Sequence, residues 1–225
     1  MAVTGLGLAG VINSAAVIRR WGDDRPIRLS LAAILAVREL TEWYAATVQD
    51  QRVLPLHLCD LALFALVGAL VGGPSWLGEL ACFWGLSGSL QAILTPDLAR
   101  GFPSYRWITF FLGHVLVVVG AAYLLARGMA RLTWRSVWRS WLITNVYVLA
   151  AGVVNWRHGT NFGYLARKPS HPSLLDYLGP WPWYVVGMEL IGVGLFAVCV
   201  GVSRWVERRA GLTGRHEQET ACPSR

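Results

Sequence analysis

The sequence predicts an all-α fold, a polytopic membrane helical bundle of about seven transmembrane helices. Three observations carry that prediction. Apolar residues make up 55% of the 225 and charged residues only 15%, where a soluble domain carries about a quarter charged. Seven apolar stretches recur along the chain, most of them near the ~20 residues that cross a hydrocarbon layer. No ten-residue alternation of the outer-membrane-barrel kind recurs, so the backbone groups of each span must be satisfied within helices.

The first stretch, 2–18, is short. Arg19 and Arg20 follow it rather than precede it, the reverse of a signal peptide, so it reads as a short first span. The second is 25–48. The third, 53–71, ends at Gly72-Gly73-Pro74, and the fourth, 76–95, stops at Pro96. The fifth is 107–126, the sixth 137–155 and the seventh 183–202. The loop 156–182 contains Gly159-Thr160-Asn161 and Gly179-Pro180-Trp181-Pro182, turn-forming runs that exclude continuous helix. Its aromatics suit a lid on the membrane surface. Residues 1–210 read as one bundle domain and 211–225 as a polar, disordered cytoplasmic tail.

Basic residues set the expected orientation. Counted with the span ends beside them, the first, third and fifth loops and the C-terminal tail hold 13 Lys and Arg, against 6 for the other loops. The positive-inside rule then puts the N-terminus outside and the C-terminus in the cytoplasm of a multi-pass cell-membrane protein. The net charge of +7 does not point to nucleic acid, because the arginines lie between apolar runs and not along one face. Membrane lipids are the expected partners; oligomeric state is not legible.

Ionisable and amide groups inside spans are costly and point to function. Here they are His57, Asp60, Gln91, His114, Asn145 and Asn155, with Glu39 and Glu42 in the second span. Most fall in the half nearer the outer face, with Asp97 at its rim. His57 and Asp60 are three apart and so share a helical face. The expected catalytic set is His57 and His114 as acid and base, since histidine titrates near working pH, oriented by Asp60 or Glu42. Gln91 or Asn155 would donate to an oxyanion. Substrate would be bound by Gln91, Asn155, Glu42, Asp97 and Asn161. The competing account is interhelical hydrogen bonding without chemistry.

Other features read as packing. Cys59 lies about 200° around a regular helix from His57 and is expected to be an apolar cysteine, so Cys59→Ser should be mild. Gly68 with Gly72, and Gly85 with Ser89, have the spacing of close helix contacts. Trp84, Ser87 and Gln91 should share a face, and Arg38 should pair with Glu42. The four cysteines form no CxxC and the histidines no HxxxH, so neither a metal nor another cofactor is expected.

Leu54-Pro55-Leu56-His57-Leu58-Cys59 resembles the signature of the YwaF family of bacterial integral membrane proteins. The resemblance extends through Phe83-Trp84-Gly85, Gln91, Thr95-Pro96-Asp97, Phe102-Pro103, His114, Asn155, Gly159-Thr160-Asn161, Lys168-Pro169 and Gly179-Pro180-Trp181-Pro182-Trp183. More distantly, the pattern is similar to eukaryotic transmembrane acyltransferases that remodel ether phospholipids, which use a cysteine and a histidine on neighbouring helices. That similarity aligns their histidines with His57 and His114. Leu56 stands at the position of their cysteine, and Cys59 would substitute for it only where the helix is locally distorted.

The resulting expectation is an integral membrane enzyme acting on a lipid or lipid-linked substrate, by acyl transfer or hydrolysis, at a histidine-based site in the outer half of the bilayer. A small-molecule transporter or binding protein with the same polar groups along its path is the alternative, and an envelope structural protein the third.

Overall fold

The structure, a computed structural model, describes residues 22–48 and 54–209. The expected first span at 2–18 and the tail at 211–225 lie outside the described residues. Within them the chain forms six helices: α1 (Arg25–Val48), α2 (Leu58–Leu70), α3 (Ser75–Leu94), α4 (Tyr105–Arg127), α5 (Trp134–His158) and α6 (Trp183–Arg209). Short 3₁₀ turns, Phe162–Tyr164 and Leu174–Leu178, interrupt the long loop before α6. Among the described residues there is no strand.

Four of these helices, α3 to α6, are long and apolar enough to cross a membrane. Of the about seven spans expected, these four meet that length and apolarity among the described residues. Helix α1 has 24 residues, but Arg25, Arg28, Arg38, Glu39 and Glu42 lower its apolar character. Helix α2 has 13 residues, about 20 Å at 1.5 Å per residue, short of a ~30 Å hydrocarbon core.

The helix ends follow local chemistry. Ser104 Oγ accepts the Trp107 N–H at 3.3 Å at the start of α4. Thr133 and Ser136 exchange side-chain and backbone hydrogen bonds at the start of α5, satisfying N–H groups that the helix leaves unpaired. Gly128 and Gly159 close α4 and α5 at φ 70° and 66°, a conformation cheap only for glycine. Gly72 (φ 95°) turns the chain out of α2, and Gly68 packs instead against Leu77, where a Cβ would come within 2.7 Å. The expected glycine pair thus divides into one packing and one turning residue.

The core is the contact of α2, α3 and α4. Leu66, Leu70, Cys82, Phe83 and Leu124 are fully buried there. Gly120 lets Leu66 approach so closely that a Cβ would meet it at 2.5 Å. Phe83 stacks on Phe196 of α6 at 4.6 Å. Polar pairs link the outer helices: Arg139 with Glu79, Trp84 with Thr144, and Trp141 and Asn145 with Glu189. Asn145 is thereby accounted for by interhelical bonding.

At one end of the bundle, Asp24 joins α1 to α4 through Arg127 at 2.6 Å, Arg28 at 3.3 Å and Tyr123 at 2.5 Å. Arg28 also donates to the Leu70 carbonyl at 3.3 Å. At the other end, Asp97 after α3 gathers Tyr164, Ser170 and His171 of the long loop. The connections before α1, after α2 and after α4 thus share one end, as alternating helices require.

Candidate functional site: a polar cavity at the start of α2

The residues before α2 are not helical. Leu56 is held by the Tyr147 hydroxyl, which donates to its carbonyl at 2.9 Å. His57 is extended (φ −71°, ψ 150°) and forms the N-cap. Asp60 Oδ2 accepts the His57 N–H at 2.9 Å, satisfying a donor that the helix start would leave bare. His57 and Asp60 therefore do not share a helical face as expected, because His57 precedes the helix. The His57 ring turns to the long loop, edge-on to Phe162 at 5.3 Å and 6.4 Å from Tyr164.

Below this cap lies a cavity of about 30 Å³, lined by Arg38 of α1, Cys59, Asp60 and Leu63 of α2, Ser89 of α3, and Gly113, His114 and Val117 of α4. It has room for a group the size of one water. The Cys59 thiol donates to Asp60 Oδ1 at 3.7 Å. His114 is buried, and its Nδ1 lies 2.7 Å from the Phe110 carbonyl. A carbonyl only accepts, so Nδ1 carries the proton and Nε2 of the neutral ring is left as the acceptor.

Arg38 is pinned on two sides. One terminal nitrogen bonds Glu39 at 2.7 Å and the other the Thr109 carbonyl at 3.1 Å. Its ion pair is thus with Glu39 and not with Glu42 as expected. Gly113 gives the guanidinium its seat, since a Cβ there would lie 2.8 Å from Arg38 Cζ. Arg38 Nε and Ser89 Oγ are buried and have no partner. Ser89 ends a π-helical stretch of α3, Gly85–Ser89, an i→i+5 widening that often occurs at functional sites. Of the three residues expected to share a face here, Trp84 bonds Thr144 and Ser87 bonds the Phe83 carbonyl.

Other expected site residues lie elsewhere. Asn155 is buried and fully engaged, donating to the Phe162 carbonyl at 3.0 Å and accepting from Thr160 Oγ1 and Phe162 N–H, both at 2.8 Å. Asn161 folds the loop by bonding Ala166 and Arg167. Asp97 ties down the same loop. Burial pushes its pKa up, but hydrogen bonds from His171, Ser170 and Tyr164 outweigh that and hold its carboxyl below the usual range. Gln91 is half-buried, and Glu42 sits beside Tyr105 with Oε1 buried and unpartnered. None of these, nor His57, lines the cavity. Among the described residues no three His, Cys, Asp or Glu side chains assemble as metal ligands.

Sequence reasoning missed Arg38, Ser89 and the placement of Cys59. The short, glycine- and serine-rich run 85–89 was the available signal for Ser89. Outside the cavity, an open groove of about 640 Å³ runs between α1 and α4, walled by Ala33, Ile34, Val37 and Leu112 with Thr41, Tyr105 and Thr109. Arg38 lines both the groove and the cavity.

Comparison with known proteins gives one result. The model of the TMEM164 family, a family of transmembrane proteins, matches residues 2–200. No curated protein and no solved structure matches the chain.

Proposed function

The chain belongs to the TMEM164 family, and from that premise we propose that it is a membrane enzyme acting on a lipid or lipid-linked substrate by acyl transfer or hydrolysis. One observation carries the reading: Cys59, Asp60 and His114 line a single cavity in the helical bundle. The motifs shared with the YwaF family, and the likeness to acyltransferases that use cysteine and histidine on neighbouring helices, support it. Helix α2 starts only at Leu58, and this late start is the local distortion that lets Cys59 stand in for the cysteine missing at Leu56.

In this reading the expectation for Cys59 is reversed, and it is the nucleophile. Its sulfur attacks the carbonyl carbon of an acyl ester while Nε2 of His114 takes the thiol proton. The carbonyl–oxygen ester bond breaks, and His114 returns the proton to the departing alcohol. A second alcohol, or water, then attacks the thioester, giving its proton to His114, and the thiol is restored by that proton. Asp60 holds the Cys59 thiol and the N-cap. His57 acts as a positioning residue, through its N–H on Asp60 and its ring under the loop. With the basic end in the cytoplasm, the site lies in the outer half of the bilayer.

The test is turnover of defined phospholipid esters by the purified protein in lipid nanodiscs. Release or transfer of an acyl chain, lost in Cys59→Ser and in His114→Ala of unchanged thermal stability, supports the reading. Flux of a solute through reconstituted vesicles without any turnover overturns it in favour of transport.

A further inference from the structure

Two donors in the cavity have no part in the chemistry above. Arg38 Nε–H and the Ser89 hydroxyl are buried, belong to residues lining one cavity, and bond nothing in the protein. Ser89 has no exposed surface at all. Unpaired buried donors are rare and ask for an explanation. Both are also rigidly placed: Arg38 by Glu39, the Thr109 carbonyl and Gly113, and Ser89 by the π-helical turn.

Their complement is a small acceptor. About 30 Å³ admits little more than one oxygen atom. Glu39 already pairs with Arg38, and Asp60 lines the same space, so a fully anionic phosphate or free carboxylate would meet like charge. A neutral carbonyl oxygen does not, and it acquires negative charge only as the sulfur attacks, when preorganised donors are worth most.

The approach is also built. Arg38 is the wall shared by the cavity and the apolar α1–α4 groove. Ile34, Val37 and Leu112 along that groove are exposed on the outside of the bundle, where a membrane would place acyl chains. A chain lying in the groove brings its ester carbonyl to Arg38.

We propose that Arg38 Nε–H and Ser89 Oγ–H are the oxyanion donors for an acyl ester of a membrane lipid, whose chain enters sideways from the bilayer through the α1–α4 groove. This rests on the acyl-transfer reading.

The experiment measures two quantities on the full-length protein in nanodiscs: turnover of a long-chain phospholipid ester, and binding of a long-chain acyl trifluoromethyl ketone, which adds a thiol to give a tetrahedral oxyanion. Ser89→Ala and Arg38→Lys should each lower kcat by about 10²–10³-fold with KM little changed. Each should weaken ketone binding to a similar degree. Ser89→Ala should leave Tm unchanged or raised, because it removes an unpaired buried hydroxyl. Val37→Trp, which fills the groove, should raise KM for the long-chain ester by about tenfold or more and leave a short-chain ester unaffected. Wild-type turnover and ketone binding that persist equally in Ser89→Ala and Arg38→Lys would overturn the donor pair and leave acyl transfer standing. Equal effects of Val37→Trp on both esters would overturn the route. A wild-type protein that neither turns over ester nor binds the ketone would sink acyl transfer and the donor pair together.

Discussion

Asp60 accepts the backbone N–H of His57 at 2.9 Å, yet their side chains serve different places: the imidazole lies under the long loop and the carboxylate lines the cavity. One hydrogen bond therefore couples the loop contact to the polar cavity across the first turn of α2.

That coupling separates the two histidines. His57→Ala keeps the N–H that Asp60 holds and should reduce turnover by less than about tenfold, whereas His114→Ala removes the base and should cost about 10²-fold or more. Asp60→Ala should lower stability by about 0.5–2 kcal/mol through the lost cap. Equal losses of turnover in the two histidine variants would argue for the symmetric acid–base pair expected from sequence.

Asn155→Ala should destabilise by about 2–4 kcal/mol, because three hydrogen bonds are lost and the buried N–H of Phe162 is left unpaired. Thermal unfolding reads the loss, and limited proteolysis should show new cleavage in 159–182. An unchanged Tm with loss of turnover would instead restore Asn155 as a substrate-binding residue.

Asp97 gives the loop a pH dependence. Its carboxyl is held below the usual range by His171, Ser170 and Tyr164 against the effect of burial. A depressed folded-state value stabilises the docked loop above the ordinary carboxylate pKa, and that stability is lost as pH falls through the folded value. Hydrogen exchange of 159–182 should therefore accelerate below about pH 4, and Asp97→Asn should accelerate it at neutral pH. Exchange that is flat with pH in both proteins would contradict this.

Reporter fusions after Arg131 and after Arg167 should report cytoplasm and exterior respectively. The opposite pattern would move the cavity to the inner leaflet.

Much of the fold was legible because long apolar helices announce themselves by length alone: 25–48 and the four long spans lie inside the observed helices to within a residue. Where polarity and length conflict, periodicity misleads. Residues 54–57 are apolar enough to read as span, but Pro55 and the Asp60 cap delay the helix to Leu58. The polar residue types of the cavity were legible, and its geometry only in part. His114 and Asp60 do line the cavity. Asn155, Asn161 and Asp97 hydrogen-bond to the long loop or within it, tertiary partners that no spacing reveals. The placements of Ser89 and Cys59 escaped because a π-helical turn and a displaced helix start rotate side chains in ways a regular helix does not predict.

The central claim is that Cys59 and His114 perform acyl transfer in one cavity. Intact-protein mass spectrometry after brief mixing with a phospholipid ester tests it most directly. The account predicts an adduct of one acyl mass, mapped by peptide analysis to Cys59 and absent from Cys59→Ser, which should also lose turnover. Full lipid turnover by Cys59→Ser, with no acyl group on any cysteine of the wild type, would contradict it.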